Sequence, residues 1–575
     1  MESLPIEAEP RAPSLAEDPA LGLSQRQKLE ILGAVLLGLF LVALDQTIVG
    51  TALPKIVTDL GGNDLYTWVV TIYLLTSTIT VPFYGKLSDL YGRKPLLIGG
   101  IVLFLLGSAL AGLSQNMEQL ILFRGLQGIG AGSLFPISLA IIGDLFTPAE
   151  RGKYQGLFGA VFGVSFILGP WLGGFLTDNV SWHWVFYVNI PIGLISLYVI
   201  WRLMPNIKHP DVSRNLDYLG AAVFTAAISA LLIGLTNKVD QARFIVRDWT
   251  DPGVGGLILL GVLLTGLFVW IEARAKEPIV PLGMFRNRTF SMSLLATFFV
   301  SFAFFGAIVF LPRWFQVVRG ESATNAGYLL FPLLIGLIGS SILSGFLVAR
   351  TGRYKAILTF GIVLTIIGVA LMTQLRADTD YLPLFGWMFV AGVGIGPSLA
   401  VFTIAVQNAV PFREMGVATS NLTFFRQIGG SVGLAIAGTS FGTAFGENLV
   451  PSFVANGVPE PVAAGAAELT SNGGGDALLN AGVDLAQQLA AVLPPQLQAL
   501  APNLAAGVYD AMSQAIASTF VIGIVAAIVS LAATLLMPEL ALRRTSGVED
   551  AAASRSDERA RPDEPRAYRA NPAVD

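Results

Sequence analysis

Gly85-Lys86-Leu87-Ser88-Asp89-Leu90-Tyr91-Gly92-Arg93-Lys94 is a short charged turn set between two long apolar segments. A weakened copy, Gly345-Phe346-Leu347-Val348-Ala349-Arg350-Thr351-Gly352-Arg353-Tyr354, stands 260 residues later, and the apolar segments around both keep the same register. The pair reads as the mark of a duplicated membrane protein. Composition agrees: with 54% hydrophobic residues, 13% charged and a mean hydropathy of +0.67, 575 residues carry too little polar surface to face water throughout.

Outward from that turn, fourteen apolar runs of about 20 residues can be counted, near 31–53, 67–86, 95–114, 118–141, 154–176, 184–204, 217–236, 254–273, 289–311, 324–348, 355–375, 382–406, 421–443 and 514–538. The residues before the first run are acidic and proline-containing, so the first helix, rather than a separate signal peptide, is expected to direct insertion. Lysine and arginine give the orientation. Placing the amino terminus in the cytoplasm puts 26 of the 35 basic residues on that side and seven outside: Lys55, Lys238, Arg243, Arg247, Arg313, Arg319 and Arg376. Both termini are therefore expected in the cytoplasm, and the membrane is the cell or inner membrane.

Shifting helices 1 to 4 by 260 residues lands on helices 9 to 12. Two six-helix bundles, 29–205 and 288–540, are thus separated by an inserted pair, helices 7 and 8, within 206–287. An even insertion keeps both halves in one orientation, giving parallel repeats about an axis along the membrane normal. Such halves rock about a central site, which is a transporter architecture. The flanks, 1–28 and 541–575, read as cytoplasmic tails, the second alternating Arg with Asp and Glu and expected to be disordered. The long connection 444–513 holds no lysine or arginine and is expected outside. Its leucines, Leu478, Leu485, Leu489 and Leu493, fall at helical spacings. They fit either helical extensions with a flexible cap, or a docking surface for an envelope protein or a lipid-guiding lid.

The motifs together resemble the major facilitator superfamily, and within it the fourteen-helix drug:proton antiporter family. They are Leu44-Asp45-Gln46-Thr47-Ile48-Val49 through Ala52-Leu53-Pro54, the 85–94 turn, Arg124-Gly125-Leu126-Gln127-Gly128, Gly169-Pro170-Trp171-Leu172-Gly173-Gly174, Trp182-His183-Trp184-Val185-Phe186 with Asn189-Ile190-Pro191-Ile192-Gly193, and Arg426-Gln427-Ile428-Gly429-Gly430-Ser431. The likeness covers about 30–440 and the last helix. It implies export by alternating access driven by proton entry. It also implies a conformational latch at the turn, and an exporter motif in helix 5 formed by Gly169, Pro170, Gly173 and Gly174. One departure is Ser165, where many members have glycine.

Several residues carry a physical reading beside that likeness. Asp45, deep in helix 1, costs about 2.5–3.5 kcal/mol on insertion scales and must be paired, wet or protonated. Arg124 in helix 4 is the expected partner of a proton-coupled pair, with a permanent structural bridge as the alternative. In the latch, Gly85 and Gly92 permit close packing and a sharp turn, Asp89 suits a helix amino terminus or a cation, and Asp144 is a candidate partner for Arg93. In the second copy Ala349 replaces Asp89, so the latch should be asymmetric. Gln46, Trp68, Tyr73, Gln316, Gln407, Asn408, Asn421 and Arg426 are possible cavity residues from family position. The glycines of helix 4 and of helix 12 sit inside apolar helices and read as packing faces, not phosphate loops.

The expectation is a secondary transporter, not an enzyme. No nucleophile, metal cluster or cofactor loop is visible, so no metal, cofactor or nucleic acid is expected, and a monomer in the bilayer is. The substrate is an amphipathic drug or similar hydrophobic compound. The alternative is a lipid or dedicated-metabolite exporter working with an envelope partner at 444–513.

Overall fold

The computed structural model describes residues 23–60, 65–146, 148–206, 217–240, 245–275, 277–411, 414–469 and 485–542. Among them, 14 helices are long and apolar enough to cross a membrane, the number expected. They are α1 Gln25–Leu60, α2 Tyr66–Tyr91, α3 Arg93–Ala111, α4 Met117–Leu145, α5 Pro148–Asn179, α6 Asn189–Leu203, α7 Tyr218–Lys238 and α8 Leu257–Glu272, then α9 Arg288–Val317, α10 Phe331–Thr351, α11 Tyr354–Met372, α12 Tyr381–Ala409, α13 Met415–Ala455 and α14 Ala501–Leu536. Both described chain ends, Leu23 and Leu542, lie on one face, called here the tail side. A two-stranded antiparallel pair, β1 Val239–Asp240 and β2 Ile245–Val246, joins α7 to α8 on the far side. It is too short for an alternating pattern to betray it.

Helices α1–α6 pack together, as do α9–α14, and the two bundles meet where α2 crosses α13 and α5 crosses α10. The turn and its copy build these crossings. A β-carbon at Gly85 would fall into Ser420 and 3.0 Å from the Gly416 carbonyl of α13, and one at Gly345 would strike the Gly152 backbone of α5. Each copy therefore supplies the glycine that lets its helix touch the other bundle, which is what a parallel duplication requires. Gly92 closes α2 with φ +100° and Gly352 closes α10 in the left-handed region at φ +72°, conformations that side chains resist. The glycine ridges of α4 and α12 are packing faces: Gly128 and Gly132 meet α2 while Gly130 meets α3, and Gly392 and Gly396 meet α10 while Gly394 meets α11.

The inserted pair α7–α8 lies against the α2–α13 crossing. Leu75 and Ile79 of α2 pack there with Phe224, Ile228 and Leu232 of α7, Phe268 of α8 and Phe424 of α13. Helices α13 and α14 run past the apolar segments that mark them, to Ala455 and back to Ala501. Leu449 and Phe453 of α13 share a core with Leu504 and Val508 of α14, so packing between the two helices supports the longer ends. Of the connection between them, Leu485 is buried in the C-terminal core, and Leu489 and Leu493 pack on it. Leu478 and the tails 1–22 and 543–575 lie outside the described residues.

Candidate functional site

The interior of the N-terminal bundle holds a polar knot. Asp45 of α1 is fully buried, as are Arg124 and Gln127 of α4, Ser108 of α3 and Asn189 at the start of α6. Arg124 Nη1 donates to Asp45 Oδ2 at 2.5 Å and to Gln127 Oε1 at 2.8 Å. The Asp45 Oδ1 atom accepts from Gln127 Nε2 at 2.8 Å and from Asn189 Nδ2 at 3.2 Å. Asn189 Nδ2 also reaches Ser108 Oγ at 3.1 Å, and that hydroxyl donates to the Phe186 carbonyl. The Tyr73 ring lies 4.1 Å from the guanidinium, a cation–π contact in a dry site. Its buried hydroxyl has no hydrogen-bond partner among the described residues.

Spacing explains the assembly. Arg124 and Gln127 are three residues apart on one face of α4, so both reach α1. Asn189 follows the single turn Trp184–Tyr187 and so points inward at the mouth of α6. The sequence singled out Asp45 and Arg124 because a charge in an apolar run stands out. Gln127, Asn189 and Ser108 were present in the motifs or helices but carry no charge, and their facing depends on helix rotation.

On the tail side a second charged cluster ties the bundles. Arg93 is fully buried: its Nε donates to Asp144 Oδ2 at 2.9 Å, Nη1 to Ser88 Oγ at 2.6 Å, and Nη1 also pairs with Asp89. Asp89 Oδ2 accepts the Val417 N–H at 3.1 Å, in the first turn of α13. Asp89 thus meets a cation and a helix amino terminus together. Around the second copy, Arg350 and Arg353 are exposed and Ala349 sits beside Gly152, so the two turns are chemically unequal. Nearby, Gln155 of α5 donates to Gln407 Oε1 of α12 at 2.8 Å, and Gln407 Nε2 reaches the Leu139 carbonyl at 3.2 Å. These bonds cross between bundles and close the tail side.

In α5, β-carbons at Gly169 and Gly173 would strike Thr47 and Thr51 of α1, while Pro170 and Gly174 face Gly327 and Thr324 ahead of α10. Thr47 Oγ1 donates to the Ser165 carbonyl at 3.0 Å, so the departure at Ser165 leaves the α1–α5 contact intact. The remaining polar positions scatter. Gln46, Trp68, Gln316 and Arg426 are half-buried, whereas Tyr73, Gln407 and Asn421 are buried. Tyr73 belongs to the Arg124 knot, Gln407 to the inter-bundle closure, and Asn408 Nδ2 donates to the Ala541 carbonyl beyond α14. Tyr73, Gln407 and Asn408 are thus each engaged by a neighbour in this conformation. Phe298, Phe302 and Phe305 lie over Gly429, Gly433 and Gly430 of α13.

With this geometry in hand, known proteins give a consistent comparison. The Major Facilitator Superfamily profile matches residues 35–434. Multidrug transporter protein MdtP of Bacillus subtilis (strain 168) is 39% identical over 430 residues, 75% of this chain and 78% of that one. Multidrug resistance protein 3 of the same organism is 38% identical over 427 residues, 74% and 82%. Among solved structures, the proton:xylose symporter XylE superposes with a TM-score of 0.57 at 14% identity, covering 92% of this chain and 100% of that one, a likeness of fold. The profile spans most of the helical bundles and the relatives are transporters, so the chain belongs to the major facilitator superfamily.

Proposed function

We propose that the protein is a proton-coupled exporter of amphipathic compounds, working by alternating access, with the tail side in the cytoplasm and the membrane being the cell membrane. The single observation that carries this reading is the buried Asp45–Arg124 pair held by Gln127 and Asn189. Protonating Asp45 beside Arg124 would leave a buried guanidinium without its counter-charge, a loss of about 3–5 kcal/mol for a pair of this kind. Proton entry and rearrangement of the knot are therefore one event. Both α1 and α4 carry it, and α1 is locked to α5, which crosses to the other bundle, so the event reaches the inter-bundle contacts. With about 2.3 kcal/mol supplied per charge at 100 mV, an inward proton can drive a substrate outward.

The multidrug transporters among the relatives support drugs as the substrate class. Asp89, Arg93, Asp144 and the Val417 N–H act in this reading as the latch of the state with a closed tail side.

The test uses purified protein in liposomes with an imposed inward proton gradient and a fluorescent cationic dye. Gradient-driven dye movement in wild type, lost in Asp45→Asn, is expected. Wild-type movement that survives collapse of the gradient would overturn proton coupling.

A further inference from the structure

Arg426 lies in the tail-side third of α13 and is turned toward Phe135 of the other bundle. Its guanidinium lies 5.8 Å from the Phe135 ring of α4, and among the described residues its one hydrogen bond is a long one, 3.4 Å from Nη2 to the Leu399 carbonyl of α12. Among the described residues no carboxylate lies within ion-pair distance of it. Asp45 does not answer this charge, being engaged by Arg124, Gln127 and Asn189. Arginine does not shed its proton in proteins, so the charge persists, whereas the buried Arg93 and Arg124 each have a carboxylate partner. The side chain is half-buried, and the ring it faces, Phe135, belongs to the other bundle.

The surroundings add an apolar wall. Phe135 packs edge-on against Phe162 of α5 at 5.6 Å, and further along α5 Phe166 meets Phe304 of α9 across the bundles at 6.5 Å. Phe162, Phe166 and Phe304 are each half-buried. A cation at one end of an aromatic face suits a molecule with an acidic head and an apolar body.

We propose that Arg426 binds the acidic head group, a carboxylate, sulfonate or phosphate, of an amphipathic substrate whose body lies along Phe135, Phe162, Phe166 and Phe304. The proposal rests on the exporter reading for the word substrate, though not for the binding itself. It gives the site a preference that an acid-lined site for cations would lack. The head group supplies the missing counter-charge, so an acidic amphiphile is held more tightly than a neutral one of the same shape.

The test measures equilibrium binding of three probes to full-length protein in nanodiscs, without any gradient. All three carry the same dansylaminoundecyl body, ending in a carboxylate, a primary amide or a trimethylammonium group. Wild type is expected to bind the carboxylate at least tenfold more tightly than the amide. Arg426→Gln should abolish that difference while leaving the amide unchanged, and Arg426→Lys should keep part of it. Equal binding of the three probes, tightest binding of the trimethylammonium probe, no binding at all, or an equal loss of all three in Arg426→Gln would each overturn the proposal. Gradient-driven transport of the carboxylate probe is measured separately. Head-group discrimination without transport would sink the exporter reading and leave the Arg426 site standing.

Discussion

At the residue scale the protein turns on two arginines inside apolar helices with opposite circumstances, Arg124 buried and Arg426 half-buried. Arg124 is surrounded by Asp45, Gln127, Val69 and the Tyr73 ring, whereas Arg426 has a backbone carbonyl at 3.4 Å and the Phe135 ring at 5.8 Å. Removing the counter-charge of the first must hurt the fold as well as transport. Asp45→Asn keeps an acceptor for Arg124 but discards the charge, so it is expected to destabilise the protein by about 3–5 kcal/mol. Replacing both, Asp45→Asn with Arg124→Gln, removes the orphaned cation and should recover at least half of that loss while transport stays absent. Thermal unfolding in detergent, followed by tryptophan fluorescence, separates the two outcomes. A double variant no more stable than Asp45→Asn would show that the pair is not what holds the knot. The charged members of the knot were legible in the sequence because hydrocarbon makes every charge conspicuous. Its amides were not, since Gln127 and Asn189 differ from dozens of tolerated polar residues only by where the helix turns them.

At the scale of elements, the inserted pair α7–α8 carries an internal conflict at its tail-side ends. Glu272 closes α8 and accepts the Val280 N–H at 2.5 Å, while Asp217 Oδ1 accepts the Gly220 N–H at 2.8 Å and so begins α7. Among the described residues, the other oxygen of each, Glu272 Oε2 and Asp217 Oδ2, is buried without a donor, and both crowd the same side of Gly220. Two facing acceptors leave each other unsatisfied. Glu272→Gln supplies an N–H to Asp217 and keeps an acceptor for Val280, and is expected to stabilise the fold by about 1 kcal/mol at neutral pH. A Glu272→Ala control, which leaves the Val280 N–H unpaired, should instead lower the melting temperature. A fall in melting temperature for Glu272→Gln would mean that the acidic pair is itself required. Nothing in the sequence predicts this meeting, because the two residues are 55 positions apart and belong to linkers whose path hydropathy does not constrain.

At the scale of the molecule the duplication explains why so much was legible. Hydropathy gives the fourteen spans, and the 85–94 turn with its copy pairs helix 2 with helix 10. The demand that each copy touch the other bundle then makes Gly85 meet α13 and Gly345 meet α5. What duplication does not specify is asymmetry. Asp89 in one turn and Ala349 in the other put the charged part of the closure at one crossing alone, so the tail side should open from the α2–α13 crossing when that charge is weakened. The chain contains no cysteine, so accessibility can be read without altering its background. Gln407 is 1% exposed between the bundles and bonded to Gln155, which makes it a reporter of opening. In Gln407→Cys, a membrane-impermeant maleimide applied from the tail side should react slowly. Adding Asp89→Asn, which retains an acceptor for the Val417 N–H but loses the charge opposite Arg93, should raise that rate at least tenfold, the equivalent of about 1.4 kcal/mol. The mirror substitution Ala349→Asn, at the uncharged crossing, should change it far less. Equal acceleration by both would mean that closure is shared evenly by the two crossings and that the charged turn has no special part in holding the tail side shut.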